Sequence, residues 1–115
     1  MSANLSLLGS RIREFRRRAS FTQENLAEYT NLTVQHIGNI ETGRKRASID
    51  ALIGIADALG ATVDLLLLGN YDSEIAAHVC EFAELIIDCD IDECDAILNA
   101  AIAMAEALRN EKRRA

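Results

Sequence analysis

The chain of 115 residues contains no proline, no tryptophan and only six glycines. Its aromatic side chains are three Phe and two Tyr. A β-sandwich needs many turns and aromatic strands, so this composition argues against that class. No apolar run approaches the ~18 residues of a transmembrane helix, and no membrane partner is expected. Half of the residues are hydrophobic and 26% are charged, which are the proportions of a globular protein.

Cysteine is also scarce, and the three present, Cys80, Cys89 and Cys94, cannot all pair within one chain. The first residues lack a basic segment followed by an apolar segment, so we expect a cytoplasmic protein with reduced thiols. The set lacks the four ligands of a structural zinc site, and His36 and His78 are far apart in sequence. We therefore predict neither a metal site nor a cofactor.

Positive charge is absent from a long middle section, since no Lys or Arg occurs between residues 47 and 108. Residues 1–48 hold eight basic and four acidic residues, a net charge of +4. Residues 49–115 hold four basic and 14 acidic residues, a net charge of −10. A basic front and an acidic rear would attract a polyanion on one side only. Two solvated surfaces of opposite sign are the alternative interpretation.

Apolar residues recur at helical spacing along the whole chain, and no stretch alternates long enough to predict a strand. The pattern predicts an all-α fold. Thr22, Thr33, Ser48 and Thr62 are placed to cap the second to fifth helices. The inward residues are Leu5, Leu8, Ile12, Phe15 and Ala19 in the first helix, Leu26 and Ala27 in the second, Ile37 and Ile40 in the third, and Ile49, Leu52, Ile53, Ala56 and Leu59 in the fourth. The fifth helix is predicted over residues 63–68.

Two longer helices are predicted after Gly69, over residues 74–88 and from about residue 92 to 110, with a frayed charged tail at 111–115. Their apolar faces are wider than one partner helix can cover. A two-fold dimer would bury such a face without another protein. The residues predicted to form this dimer interface are Val79, Phe82, Ile86, Leu98, Ile102 and Ala105.

Four short stretches lie at spacings typical of one family. They are residues 22–27 (TQENLA), 31–33 (NLT), 37–43 (IGNIETG) and 59–66 (LGATVDLL). Over about residues 8–69 the chain resembles the lambda-repressor-like, or XRE/Cro-type, helix-turn-helix regulators of bacteria and phages. The resemblance implies a five-helix DNA-binding domain over residues 1–69. Residues 70–115, outside the resemblance, would then be a two-helix dimerisation segment.

The chain departs from the family pattern at three positions. Asn31 occupies a turn position usually held by Gly, and Ala47 stands where Pro is frequent. Gly38 lies inside the third helix, at a cost of about 1 kcal/mol relative to Ala. We favour a tolerated defect at Gly38 over a site of close approach to DNA.

The resemblance implies that the third helix enters the major groove of DNA. Its base-contacting residues would be Val34, Gln35, His36 and Asn39, and for His36 contact with a phosphate stays open as well. Gln35 and Asn39 are four residues apart, and each amide can pair with adenine N6 and N7. Val34 can contact a thymine methyl group.

Phosphate contacts are expected from five residues: Gln23, Thr33, Arg44, Lys45 and Arg46. Gln23 and Thr33 lie at helix N-termini, where free amides can bind a phosphate. Arg44, Lys45 and Arg46 follow the third helix. For Arg11, Arg13, Arg17 and Arg18, contact with phosphate and simple solvation both stay open.

Arg16 and Glu41 match positions that commonly form a partly buried ion pair in this family. The resemblance therefore assigns them to orienting the third helix.

No catalytic motif is present, and the acidic stretch at residues 88–95 lacks the Gly of a calcium loop. The chain is therefore not expected to be an enzyme. We expect a nucleoid-associated homodimeric repressor that reads a palindromic operator in double-stranded DNA. One alternative is an antitoxin-like autoregulatory protein whose acidic C-terminal helices bind a second protein. Another is a purely structural helical module.

Overall fold

The computed structural model describes residues 3–114, which form seven helices and no strand. This confirms the all-α prediction. The helices are α1 (Leu5–Arg18), α2 (Gln23–Thr30), α3 (Val34–Glu41), α4 (Ile49–Leu59), α5 (Val63–Leu66), α6 (Glu74–Ile86) and α7 (Ile91–Arg114). None of these helices is both long enough and apolar enough to cross a membrane.

Side-chain caps define the starts of the short helices. The hydroxyls of Thr22, Thr33, Ser48 and Thr62 each accept a hydrogen bond from the amide three residues later. These bonds satisfy amides that have no acceptor within the helix. Asn31 ends α2 in the left-handed conformation with φ of 58°, which Asn tolerates better than most residues. The caps and the turn at Asn31 agree with the sequence prediction.

The core of the domain formed by α1 to α5 receives one fully buried side chain from each helix. These are Ile12, Leu26, Ile37, Ile55 and Leu66, each at most 1% exposed. Because all five helices contribute, the core requires the complete set of helices. Truncating one of these side chains to Ala should cost about 2–5 kcal/mol.

Helices α1 and α3 approach each other so closely that one position requires glycine. A Cβ built on Gly9 would lie 2.3 Å from the carbonyl oxygen of Glu41. Gly43, just after α3, has φ of 79°, and its Cβ would lie 2.9 Å from the amide nitrogen of Ser6. The two glycines together seat the end of α3 directly on the first turns of α1.

The beginning of the domain is tied to its end by side-chain hydrogen bonds. The amide of Asn4 donates to Oδ1 of Asn70 at 2.7 Å. Nε of Arg11 donates to the carbonyl oxygen of Leu68 at 3.0 Å. Both bonds fix the chain where it leaves α5.

The structure corrects the predicted orientation of α4 and the extents of three helices. Ile49 and Ile53 were expected to point inward, yet they are 76% and 47% exposed, since the packed face of α4 is formed by its later turns. Helix α5 ends at Leu66, because the chain tightens into a turn in which the Leu68 amide donates to Leu65. Helix α6 ends at Ile86, and the last helix continues to Arg114.

The chain divides into two compact units, with residues up to Cys80 in the first and residues from Glu81 in the second. The sequence placed its domain boundary after Gly69, so the first unit also includes the start of α6. In the second unit Asp90 and Glu93 cap α7, since Asp90 Oδ1 accepts from the Glu93 amide and Glu93 Oε1 accepts from the Asp90 amide. No residue of α7 is buried among those that the structure describes.

Candidate nucleic-acid interface

Helix α3 buries one face and exposes the other. Ile37 and Ile40 are 1% and 2% exposed and hold the helix on the core. On the opposite face Val34 and Gln35 are exposed, and Asn39 is half-buried. The exposed face therefore presents an amide and a branched apolar side chain to solvent.

The first turn of α3 keeps free hydrogen-bond donors. Thr33 Oγ1 accepts from the amide of His36 at 3.0 Å, and the His36 side chain is half-buried. The amides of Val34 and Gln35 precede the first possible intrahelical bond. These two amides are thus available to an anion at the helix N-terminus.

A buried ion pair fixes α3 against α1. Arg16 Nε donates to Glu41 Oε2 at 2.6 Å, and the second guanidinium nitrogen donates to Oε1 at 3.1 Å. The third nitrogen of Arg16 donates to the carbonyl oxygen of Phe21 at 2.9 Å. All three nitrogens of the guanidinium therefore have an acceptor, which such a buried charge requires.

Gln23 joins this pair from the start of α2. Its Nε2 donates to Glu41 Oε1 at 3.1 Å, so one amide hydrogen is used inside the domain. The second hydrogen and the backbone amides of Gln23 and Glu24 are not used by the capping box between Thr22 and Asn25. Contact of Gln23 with phosphate stays a prediction. The bond to Glu41 was not anticipated, because sequence spacing does not relate the two residues.

A basic segment follows α3 directly. Arg44, Lys45 and Arg46 are all exposed. The amides of Arg44 and Lys45 donate to the carbonyl oxygen of Asn39 at 2.9 and 3.2 Å. These bonds hold the backbone of the segment against the last turn of α3. Three exposed cations therefore follow the last turn of that helix.

The arginines of α1 serve different purposes. Arg16 is buried against Glu41, and Arg11 bonds the end of α5. Arg18 contacts Glu14 one turn earlier at 3.1 Å, and both side chains are well exposed. Arg13 and Arg17 are exposed, so their side chains are available to contact phosphate.

Sequence reasoning missed the role of Arg11 and the glycine contact at Gly9. Arg11 resembled its neighbours, and nothing in the sequence showed its distance from Leu68. The sequence did contain a signal for Gly9, because a glycine inside an otherwise strong helix pattern often marks a position where another segment packs closely against the helix.

The remaining reactive side chains do not form a site. Cys80, Cys89 and Cys94 are half-buried, and no disulfide joins them within the described residues. No cluster of ligands suited to a metal ion occurs within residues 3–114. Desolvation raises the pKa of the Cys89 thiol, and the nearby carboxylate of Glu93 raises it further.

Comparisons with known proteins agree with this geometry. A family model described as a helix-turn-helix domain matches residues 7–68. The SPβ prophage-derived uncharacterized HTH-type transcriptional regulator YonR of Bacillus subtilis strain 168 is 26% identical over 65 residues. That match covers 56% of this chain and 60% of YonR, so this chain spans little more than half the length of this relative.

Two solved structures resemble the helix-turn-helix region in both sequence and fold. The restriction-modification controller protein C.AhdI from Aeromonas hydrophila is 30% identical with a TM-score of 0.53, covering 55% of this chain and 96% of that protein. The clp gene regulator ClgR from Corynebacterium glutamicum is 32% identical with a TM-score of 0.51, covering 65% and 87%. The first is named as a controller protein and the second as a gene regulator. With a family model matching more than half of its length, this chain belongs to the lambda-repressor-like, XRE/Cro-type helix-turn-helix family.

Proposed function

We propose that this protein is a sequence-specific regulator of transcription that binds double-stranded DNA as a homodimer. The observation that carries the proposal is the exposed face of α3, a helix that three exposed cations follow and that a buried ion pair holds in place.

Base recognition is assigned to the exposed face of α3. Gln35 can form two hydrogen bonds with an adenine, and Val34 can pack on a thymine methyl group. Asn39 lies one turn further on and is half-buried, so it reaches the groove only when the helix sits deeply in it. His36 is half-buried as well, and of the four residues it is the one least expected to contact a base.

Affinity is assigned to phosphate contacts. Arg44, Lys45 and Arg46 extend from the end of α3, while Gln23 and Thr33 present helix N-termini. Each phosphate that the protein neutralises should steepen the dependence of log affinity on log salt by about 0.9. The overall charge of −6 does not oppose this, because the positive charge is confined to residues 1–48.

Dimerisation is assigned to residues 70–115. Val79, Phe82, Leu98 and Ile102 are 51%, 58%, 57% and 48% exposed. Ile86 is 36% exposed and Ala105 is half-buried. A two-fold dimer would bury this surface twice and present two recognition helices about 34 Å apart, which suits a palindromic operator.

The same apolar surface also fits a second protein, as an antitoxin-like regulator would require. The test therefore examines the DNA site and the assembly state together. Selection of bound sequences from a random DNA pool should return a palindrome of two half-sites, bound by a particle with two protein chains. No enrichment would contradict the proposal, and a single half-site bound by one chain would contradict the dimer.

Point variants separate base recognition from general affinity. Gln35→Ala should lose about 1–3 kcal/mol of binding free energy on the selected site and little on random DNA. Arg46→Ala should weaken binding to both DNAs and reduce the salt slope by about one. Asp57→Ala, an exposed change on α4, is the control and should leave both affinities unchanged. An equal loss on both DNAs for Gln35→Ala would remove it from base recognition.

A further inference from the structure

We propose that α7 forms an antiparallel coiled coil with α7 of a second copy of this chain. The inference rests on the proposed homodimer and adds to it the helix, the direction and the register of pairing. Helix α7 has 24 residues, so it is about 36 Å long, and none of its described residues is buried.

The apolar surface of α7 forms a continuous seam. Leu98, Ala101, Ala105 and Leu108 are spaced three, four and three residues apart, as positions a, d, a and d of a heptad. Both leucines are more than half exposed, at 57% and 52%. Such a seam is stable in water only when another helix covers it.

The residues of the seam are arranged symmetrically about Ala103. In an antiparallel pair centred there, Leu98 meets Leu108 of the second copy, and Ala101 meets its Ala105. Large residues thus face large ones at the ends, and small ones face small ones in the middle. Ile102 and Met104, which are 48% and 61% exposed, would each meet their own counterpart beside the centre.

Charge determines the direction of pairing. Asp95 and Arg109 occupy the same edge of the seam, position e, two heptads apart. Both are exposed, and neither side chain has a hydrogen bond or ion pair among the described residues. In an antiparallel pair the two e edges face each other, so Asp95 lies beside Arg109 of the second copy, twice per dimer. In a parallel pair Asp95 would instead lie beside Asp90 of its partner, where the charges repel.

This pattern favours a second copy over an unrelated protein. A partner of α7 must offer a cation to Asp95 and an anion to Arg109, in the reverse direction and at the same spacing. A second α7 meets all three conditions with the same residues. Asp95 and Arg109 also lie inside α7, away from the terminal turns where attraction to the helix dipole alone would place charges.

Charge reversal should change the dimer dissociation constant in opposite senses for antiparallel and parallel pairing of α7. Asp95→Arg should raise the dimer dissociation constant about tenfold, because the introduced guanidinium would face Arg109 of the second copy. In a parallel dimer the same change would instead strengthen association with Asp90. The helix itself should persist in this variant, since the introduced guanidinium can pair with Asp92 within α7. Arg109→Asp should weaken the dimer similarly, and the double variant D95R/R109D should restore it.

Sedimentation equilibrium at low salt measures these constants on the full chain. Weakening by each single change and recovery in the double variant would support the proposal. A tighter dimer for Asp95→Arg would show a parallel pair, and unchanged constants would show another interface. Either result overturns the antiparallel coiled coil and leaves the homodimer in place. A monomeric parent protein at micromolar concentration would overturn the homodimer as well.

Cross-linking checks the register independently of charge repulsion. In a background with the three native cysteines changed to Ser, Asp95→Cys and Arg109→Cys are introduced singly and together. Positions 95 and 109 of one helix are about 21 Å apart, too far for a short bis-maleimide to join within a chain. The double variant should yield a covalent dimer, while each single variant stays monomeric on a denaturing gel. Cross-linking of a single variant to itself, or none in the double variant, would overturn the register.

Discussion

The two units of this protein differ in how they bury apolar surface. In the first unit, five helices each contribute a fully buried side chain to one core. In the second unit, the longest helix of the chain has no buried residue at all within the described part. The first unit therefore buries its apolar surface within one chain, whereas the apolar face of α7 stays exposed in the single chain. Under the proposed function, DNA recognition and dimerisation would be divided along the sequence in the same way as charge.

Removing residues 71–115, which comprise the second unit and the last ten residues of the first, would test this comparison most severely. A chain truncated after Asn70 keeps the core and the bond between Asn4 and Asn70. We expect it to fold, to become monomeric and to lose about 100-fold or more in affinity for a palindromic site, because the second half-site no longer binds intramolecularly. Circular dichroism, sedimentation and DNA titration measure the three properties. A truncated chain that still dimerises, or binds as tightly as the parent, would contradict the comparison.

Breaking the buried ion pair should strongly destabilise the first unit. Glu41→Ala leaves the guanidinium of Arg16 buried without its carboxylate, at a cost of about 3–5 kcal/mol in the free energy of unfolding. Glu14→Ala is the matched control, since it breaks the exposed pair with Arg18 and should cost about 0.5 kcal/mol. Urea unfolding of the truncated chain measures both. Similar losses for the two variants would show that burial adds nothing to the pair.

Gly9 and Gly38, two of the helical glycines of the first unit, should respond to substitution with opposite signs. Gly9→Ala places a methyl group against the backbone of Glu41 and should cost about 1–3 kcal/mol. At Gly38 the nearest atom to a new Cβ is Gln23 Nε2 at 3.9 Å, so Gly38→Ala should stabilise by up to about 1 kcal/mol. Thermal unfolding compares them. A stabilising Gly9→Ala would disprove the close contact between α1 and α3.

The smallest effect is expected from the cysteines. Because the pKa of Cys89 is raised, its thiol stays protonated at neutral pH, and the thiolate forms only at higher pH than in free cysteine. Alkylation of Cys89 at pH 8 should therefore be slower than that of free cysteine. Changing all three cysteines to Ser should leave DNA binding unaffected by mild oxidant, as in the parent. Loss of binding by the oxidised parent, rescued in the serine variant, would instead show a redox switch.

Local signals in the sequence predicted the first unit well, because they act over a few residues. The cap residues Thr22 and Thr33 and the left-handed turn at Asn31 depend only on neighbouring backbone. Periodicity alone failed at Ile49, because an apolar stripe does not show where its partner helix ends.

At the end of α7 the sequence prediction made the helix too short. The sequence predicts a frayed tail from Glu111 onward, yet the charged residues there are good helix formers. The basic ones also favour the negative end of the helix dipole. The helix therefore continues to Arg114. The contacts of Arg11 and Gln23 lie beyond such local rules, since they join residues far apart in sequence.

The hydrogen bond between Asn4 and Asn70 brings the two ends of the domain formed by α1 to α5 together. A domain whose two ends meet can be cut and rejoined elsewhere without moving its helices. A short linker from residue 70 to residue 4, with new termini opened in the exposed segment at Arg44–Arg46, should give a circular permutant that still folds. The same closure allows the domain to be inserted into a surface loop of another protein. Its DNA recognition could thus be combined with an assembly module other than its own.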